Sequence, residues 1–382
     1  MLRFLSITFL LIQSSLVESQ NIVPRPPQIN VSSYILIEPN SSTVLAEFNA
    51  DDHIEPASMT KVMTGYIAAD QLHRNLVKPT DEVLISSKAW KMEGSRMFIE
   101  EGKRVSFEDL LKGVVIQSGN DASVAIAEYL GGTEEGFVDI MNAYAQSMGL
   151  QNTLFENSTG LPSSNHFSSA RDLSTITKNL INNFPEHYQL HKERSFTFND
   201  IRQLNRNRLL WRDDTVDGVK TGHTESAGYC LISSAARGSM RLIAVVAGAN
   251  SEEERFNSSQ RLLEYGFRFF VTQKLLSSNE EVRSADVWGG QKDLVPLGLP
   301  NDLVVTVPRA DLPNLKIDYT FNNNIEAPIV EGDVLGSLSV KSGESVIATS
   351  NLVALENIES KGFFGRLISK IIMWFLNLFN LG

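Results

Sequence analysis

Ser58 and Lys61, in Pro56-Ala-Ser58-Met-Thr-Lys61, stand three positions apart where the first long helical pattern begins. Side chains at that spacing share a helix face, so the hydroxyl and the amine can meet. A serine alcohol is a poor nucleophile near neutral pH, and a lysine can serve as its base once burial or a neighbouring cation lowers the amine pKa. The helix start adds a backbone amide aimed at developing negative charge. Two further groups carry polar chemistry. Ser118-Gly-Asn120 falls at the end of one helical segment and the start of the next, offering a hydroxyl and an amide from a loop. Lys220-Thr221-Gly222-His223 ends a strand, and glycine there lets a substrate backbone approach the strand edge. Each group alone reads as a turn or a cap. Together, with Ser118 60 residues after Ser58 and Lys220 102 residues after Ser118, their occurrence in this order is no accident.

The elements that must position these groups follow from the pattern. Val31–Ile37 and Thr43–Phe48 read as a hairpin around Glu38-Pro-Asn-Ser-Ser42. Helical periodicity covers segments near Ser58–His73, Phe107–Lys112, Ala122–Leu130, Gly136–Met148 and Ala170–Asn182. Strand character returns at Val216–Thr221, Gly228–Ala236 and Met240–Gly248. Strands at both ends with helices between predict an α+β domain over residues 28–270 whose antiparallel sheet is closed by both ends of the segment. Beyond Phe270 helical periodicity stops, and runs such as Leu303–Val307, Leu315–Tyr319 and Ser345–Thr349 predict a small all-β domain over 274–357 that holds the catalytic part away from the tail.

The two ends differ in kind. Arg3, a short apolar run and small residues at Val17 and Ser19 read as a signal peptide over residues 1–19, so the body is expected to be exported. Residues 361–382 contain no acid. On a helix, Phe364, Leu367, Ile368, Ile371, Ile372, Phe375 and Phe379 line one side, with Arg366, Lys370, Asn377 and Asn380 opposite. This predicts an amphipathic helix lying on a membrane surface; its charge-interrupted apolar run is shorter than the roughly 20 residues that a span needs. The chain carries 34 basic and 45 acidic residues, a net −11, and the tail's +3 leaves residues 20–360 at −14. Such a body is no nucleic-acid binder, and the basic tail is what would bring it to anionic lipid.

Cys230 is the single cysteine, which excludes an internal disulfide and thiolate-rich metal sites, and it reads as a packed apolar residue. His187 and His191 have the i,i+4 spacing of two zinc ligands, but no His-Glu-x-x-His and no third ligand accompany them. They are expected to be exposed polar residues; no metal or organic cofactor is expected.

The three motifs resemble the Ser-x-x-Lys, Ser-x-Asn and Lys-Thr-Gly trio of class A β-lactamases and penicillin-binding proteins. Arg202-Gln-Leu-Asn-Arg206-Asn, Asp217-Gly-Val-Lys-Thr-Gly-His-Thr224, Ala227-Gly-Tyr, Tyr265-Gly-Phe-Arg-Phe-Phe270 and Gly362-Phe-Phe-Gly365 extend the likeness. From about Val31 onward the chain is similar to low-molecular-mass penicillin-binding proteins of the D-alanyl-D-alanine carboxypeptidase family.

The resemblance implies a β-lactamase-like transpeptidase fold, a small β domain and an amphipathic anchor at the outer, periplasmic face of the cytoplasmic membrane. It implies removal of the terminal D-alanine from peptidoglycan stem pentapeptides and covalent inhibition by β-lactams. Ser58 would be the acylated nucleophile, Lys61 its base and Ser118 a proton relay. Asn120 would hold the substrate amide, Lys220, Thr221 and Arg206 the terminal carboxylate, and the amides of Ser58 and His223 the oxyanion. Lys61, Lys220 and Arg206 would share one pocket, so at least one lysine should titrate low, and Lys61 must be neutral to act as base. Gly119 stands where β-lactamases carry Asp, which favours the carboxypeptidase. Arg208, where relatives can carry Gly, and a short loop around Trp90–Met97 lie near the peptide entrance. The competing readings are a class A-like β-lactamase, which would not need the β domain or the tail, and a non-catalytic cell-wall peptide-binding module.

Overall fold

The computed structural model describes residues 23–378, so the expected signal peptide lies outside the described residues, as do residues 379–382. Five strands, β1 (Ser33–Glu38), β2 (Thr43–Phe48), β3 (Val216–Thr224), β4 (Gly228–Arg237) and β5 (Met240–Ala249), form an antiparallel sheet in the order β2-β1-β5-β4-β3. The Ile35–Val245 register joins the N-terminal hairpin to the late strands, so both ends of the segment close the sheet. The Lys-Thr-Gly strand, β3, is the edge.

Both faces of this sheet are covered, which is why its strands read as continuous apolar runs. Period-two alternation sends Ile35, Ile37, Ile232 and Val245 to one core, and Tyr34, Leu36, Leu231 and Val246 to the other. The first core is closed by helices α1 (Lys61–His73), α3 (Glu134–Ser147) and α4 (Ala170–Asn183). Helix α2 (Asn120–Gly131) belongs to a further cluster with Val83, Phe107, Leu110 and Ala68. Helix α1 therefore runs between two cores, and every residue from Lys61 to Ala69 is buried.

The second core is closed by an element that the sequence reading did not single out, helix α5 (Glu252–Phe269), through Phe256, Leu262 and Leu263. Its composition is mostly polar and hides the apolar stripe, but its start is marked: Ser251 Oγ accepts a hydrogen bond from the Glu254 amide at 3.1 Å, and three glutamates occupy the first turn. A short hairpin, Ser195–Phe198 with Ile201–Leu204, is also additional. Asn199 and Asp200 turn it with φ of +47° and +60°, the signature of a two-residue type I′ loop.

Beyond α5, Phe270–Leu276 pairs with Leu303–Pro308, and a five-stranded sheet follows around Val295, Leu297, Leu338, Val340 and Leu352. Helix α6 (Phe363–Leu378) ends the described chain. Its Phe364 and Ile368 are 77% and 58% exposed. No helix among the described residues is long and apolar enough to cross a membrane.

The histidine expectation is corrected in part. His191 is buried and stacks on Tyr188 with ring centres 5.1 Å apart, beneath Gly218 of β3, rather than standing in solvent. Burial holds it near pKa 4, hence neutral. Cys230 is fully buried in the first core.

Candidate active site

Ser58 lies in a single 3₁₀ turn, Ala57–Thr60, that runs directly into α1. The turn is strained, with Ala57 at φ +46°, and is held from two sides by backbone that only glycine allows so near. A Cβ on Gly160, itself at φ +80°, would lie 1.7 Å from the Ala57 carbonyl oxygen, and one on Gly222 would lie 2.9 Å from that of Pro56. Gly222 thus faces the Ser58 turn, a closer constraint than the substrate approach expected from the sequence.

One turn later, Lys61 is 2% exposed. Its Nζ is 3.1 Å from Ser58 Oγ, 2.7 Å from Asn120 Oδ1 and 2.6 Å from the Thr159 carbonyl oxygen. Burial is the largest influence on this amine and lowers its pKa to about 7; Arg206 pushes the same way, while Asp121 and Glu134 oppose. Lys220, on β3, is likewise buried, and its Nζ donates to Ser118 Oγ at 2.8 Å and to the Thr221 carbonyl at 3.0 Å. Burial, then repulsion from Lys61, Arg206 and Arg255, holds it well below the usual lysine range. Neither lysine is bonded to a carboxylate among the described residues. The two amines reach opposite walls of one cleft of about 230 Å³, lined by Ser58, Ser118, Arg206, Thr221, Gly222 and His223 among others.

Ser118 reaches this cleft because it ends the Gly113–Gln117 turn in the left-handed region, φ +66°, and Asn120 begins α2 two residues on. The Asn120 carboxamide works inside the protein: Oδ1 accepts from Lys61, and Nδ2 donates to the Glu93 carbonyl at 2.6 Å. It ties Lys61 to the Glu93–Ile99 loop.

Several supporting residues had no motif to announce them. Asp121, 1% exposed, accepts from the amides of Met97 and Phe98 at 2.9 Å and of Ile99 at 3.3 Å, clamping that loop over α2. A side chain on Gly119 would meet this carboxylate at 2.8 Å, which gives the middle motif's glycine a local reason. Asn157 Oδ1 accepts from the Thr159 and Gly160 amides, shaping the loop whose carbonyl receives Lys61. His166 Nδ1 accepts from the Glu156 amide, so its proton sits on Nε2 and is donated to Thr60 Oγ1 at 2.8 Å. Arg255, from α5, is 5% exposed and lines the cleft. Its Nη1 donates to the Gly222 carbonyl, its Nη2 pairs with Glu252 at 3.1 Å, and its buried Nε has no partner among the described residues. The capping signal at Ser251 was the available clue to its helix.

Comparison with known proteins places this geometry. A family model described as D-alanyl-D-alanine carboxypeptidase matches residues 20–251, and one described as penicillin-binding protein 5, C-terminal domain, matches residues 270–360. The chain is 44% identical over 357 residues to D-alanyl-D-alanine carboxypeptidase DacC of Escherichia coli, covering 91% of this chain and 89% of that one. It is 42% identical over 364 residues to DacA of the same organism, covering 93% and 90%. The crystal structure of penicillin binding protein 5 from Haemophilus influenzae superposes with a TM-score of 0.85 at 39% identity, over 88% of this chain and 100% of that one. Sequence, fold and cleft agree: the chain belongs to the D-alanyl-D-alanine carboxypeptidase family.

Proposed function

We propose that this protein is a serine-type D-Ala-D-Ala carboxypeptidase that removes the terminal D-alanine from peptidoglycan stem pentapeptides through an acyl-enzyme on Ser58. The observation that carries this reading is the surroundings of Lys61 Nζ. A neutral amine has two N–H groups and one lone pair. Asn120 Oδ1 and the Thr159 carbonyl take the two N–H groups, and the lone pair is left for the Ser58 hydroxyl.

Lys61 takes the Ser58 proton as Oγ attacks the penultimate carbonyl, and the amides of Ser58 and His223 hold the oxyanion. The C–N bond then breaks, and the departing D-alanine amine receives a proton through Ser118, with Lys220 Nζ 2.8 Å behind it. Water hydrolyses the ester and restores Ser58. Thr221, Lys220 and Arg206 bind the terminal carboxylate; Arg255, lining the same cleft, adds a guanidinium to that group. The anion offsets the mutual repulsion of the lysines, so binding is coupled to recognition of a C-terminal charge. β-Lactams are trapped by the same hydroxyl.

The body is exported, and α6 rests on the outer face of the cytoplasmic membrane. The exposed apolar residues of α6 and the tail's +3 against a −14 body support this. Incubating the protein with a D-Ala-D-Ala pentapeptide and assaying free D-alanine tests the activity, and mass spectrometry of a β-lactam adduct tests Ser58. Absence of D-alanine release, or an adduct on another residue, would overturn the assignment. Sedimentation with anionic lipid vesicles, lost on truncation before Lys361, tests the anchor.

A further inference from the structure

Next to the catalytic cleft lies a second, larger cavity of about 660 Å³. Arg206, Glu252 and Arg255 line both, so these three side chains form the partition between them. Ser58, Ser118 and Thr221 line only the inner one. On the proposed function, Arg206 holds the terminal carboxylate, so the outer cavity lies on the leaving-residue side of the scissile bond. A methyl side chain needs no such space.

The wall of this cavity is built by alternation. Gln203, Asn205 and Asn207 are buried and anchored, Gln203 to the Met97 carbonyl at 3.0 Å, Asn205 to that of Glu193 at 3.0 Å and Asn207 to that of Gly218 at 2.8 Å. Every other residue therefore faces outward, and Arg202, Leu204, Arg206 and Arg208 line the groove. Arg202 has no ion-pair or hydrogen-bond partner for its guanidinium among the described residues. Arg208 has only Glu252, at 3.5 Å, and Arg255 keeps a buried Nε without a partner. Four guanidinium groups thus face one carboxylate, in a body whose net charge is −14. An anionic ligand is drawn to such a groove, and guanidinium forks favour carboxylates in particular. Apolar Leu204 and Trp211, 55% and 44% exposed, supply contact for an aliphatic stem.

We propose that the outer groove is a leaving-residue subsite for a side chain bearing a carboxylate, so that the enzyme also hydrolyses D-Ala–D-X bonds in which X is larger and more acidic than alanine. This rests on the proposed assignment of Arg206 to the terminal carboxylate. The reaction is the same hydrolysis: the D-Ala carbonyl is acylated onto Ser58, the amine of X departs with a proton, and water frees the acid. The required group is the side-chain carboxylate of a terminal acidic D-residue on a linear stem, whose α-carboxylate stays with Arg206.

The test uses the full-length protein with linear peptides ending in D-Ala-D-Ala, D-Ala-D-Leu or D-Ala-D-Glu. The D-Glu peptide is expected to be cleaved faster than the D-Leu peptide, with the advantage shrinking as salt rises because exposed charges are screened. The double variant Arg202→Gln, Arg208→Gln should lower kcat/KM for an acidic leaving residue about tenfold and change that for D-Ala by less than about twofold. Loss confined to the D-Glu peptide, with the D-Leu peptide unchanged by the variant, identifies the side-chain carboxylate as the group recognised. If the D-Glu peptide is cleaved no faster than the D-Leu peptide while D-Ala is released normally, or if the variant slows all substrates equally, the subsite is refuted and the carboxypeptidase reading stands. Failure of the wild type to release D-Ala would overturn both.

Discussion

The catalytic cleft and the C-terminal sheet treat their cations in opposite ways. In the cleft, Lys61 and Lys220 are 2% and 3% exposed and bond to hydroxyl, carboxamide and carbonyl oxygens. Around the C-terminal sheet, Lys274, Lys292, Lys341 and Lys361 sit in water, each beside an aspartate or glutamate. Exposed pairs contribute about 0–1 kcal/mol each. Buried amines without a bonded carboxylate are unfavourable to folding, and what they provide is an amine that can be neutral near physiological pH. The first region is organised for reactivity and the second for solubility.

The sharpest break in this contrast is Lys61→Ala. Acylation by a labelled β-lactam should fall by at least about 10³-fold, because base and nucleophile act as a unit, while the thermal transition is retained. Normal labelling would show that another base serves. Gly160→Ala comes next: with φ at +80° and the Ala57 carbonyl in the way, denaturation should show a loss of more than about 2 kcal/mol. Loss below that figure would mean that the 157–160 loop can withdraw from the nucleophile turn.

Asp121→Asn should slow acylation about tenfold by releasing the Met97–Ile99 amides. It should also move the acid limb of the pH profile to lower pH, because the Asp121 charge raises the Lys61 pKa. In the wild type, the limb itself follows from burial: with Lys61 held near 7, kcat/KM should rise about tenfold per pH unit below that value and level off above it. A limb above pH 9 would mean that Lys61 keeps an ordinary amine pKa. In the C-terminal sheet, Lys292→Ala should change stability by less than about 0.5 kcal/mol. A larger change would remove the distinction between the two regions.

The strand pattern was legible because burial on both faces leaves continuous apolar runs: Val216–Thr221, Gly228–Ala236 and Met240–Gly248 fall inside the observed β3, β4 and β5. Helix α5 was not picked out, since a helix that covers one sheet face needs only a narrow apolar stripe among polar residues. His191 was misjudged for a related reason. Its side chain is polar, but its position under β3 is fixed by packing between Tyr188 and Gly218, which lie 30 residues apart in sequence. Arg255 escaped notice because it meets Gly222 across 33 residues, with no local motif on either side.

What the sequence determined by itself was everything that depends on neighbours along the chain: the Ser58–Lys61 helical turn, the Lys220–Thr221 strand end, and the charge asymmetry between body and tail. Tertiary structure decided the electrostatics. An amine becomes a base only when other segments exclude water from it, and here those segments are the 157–160 loop, α2 and β3, brought together by packing on both faces of one sheet.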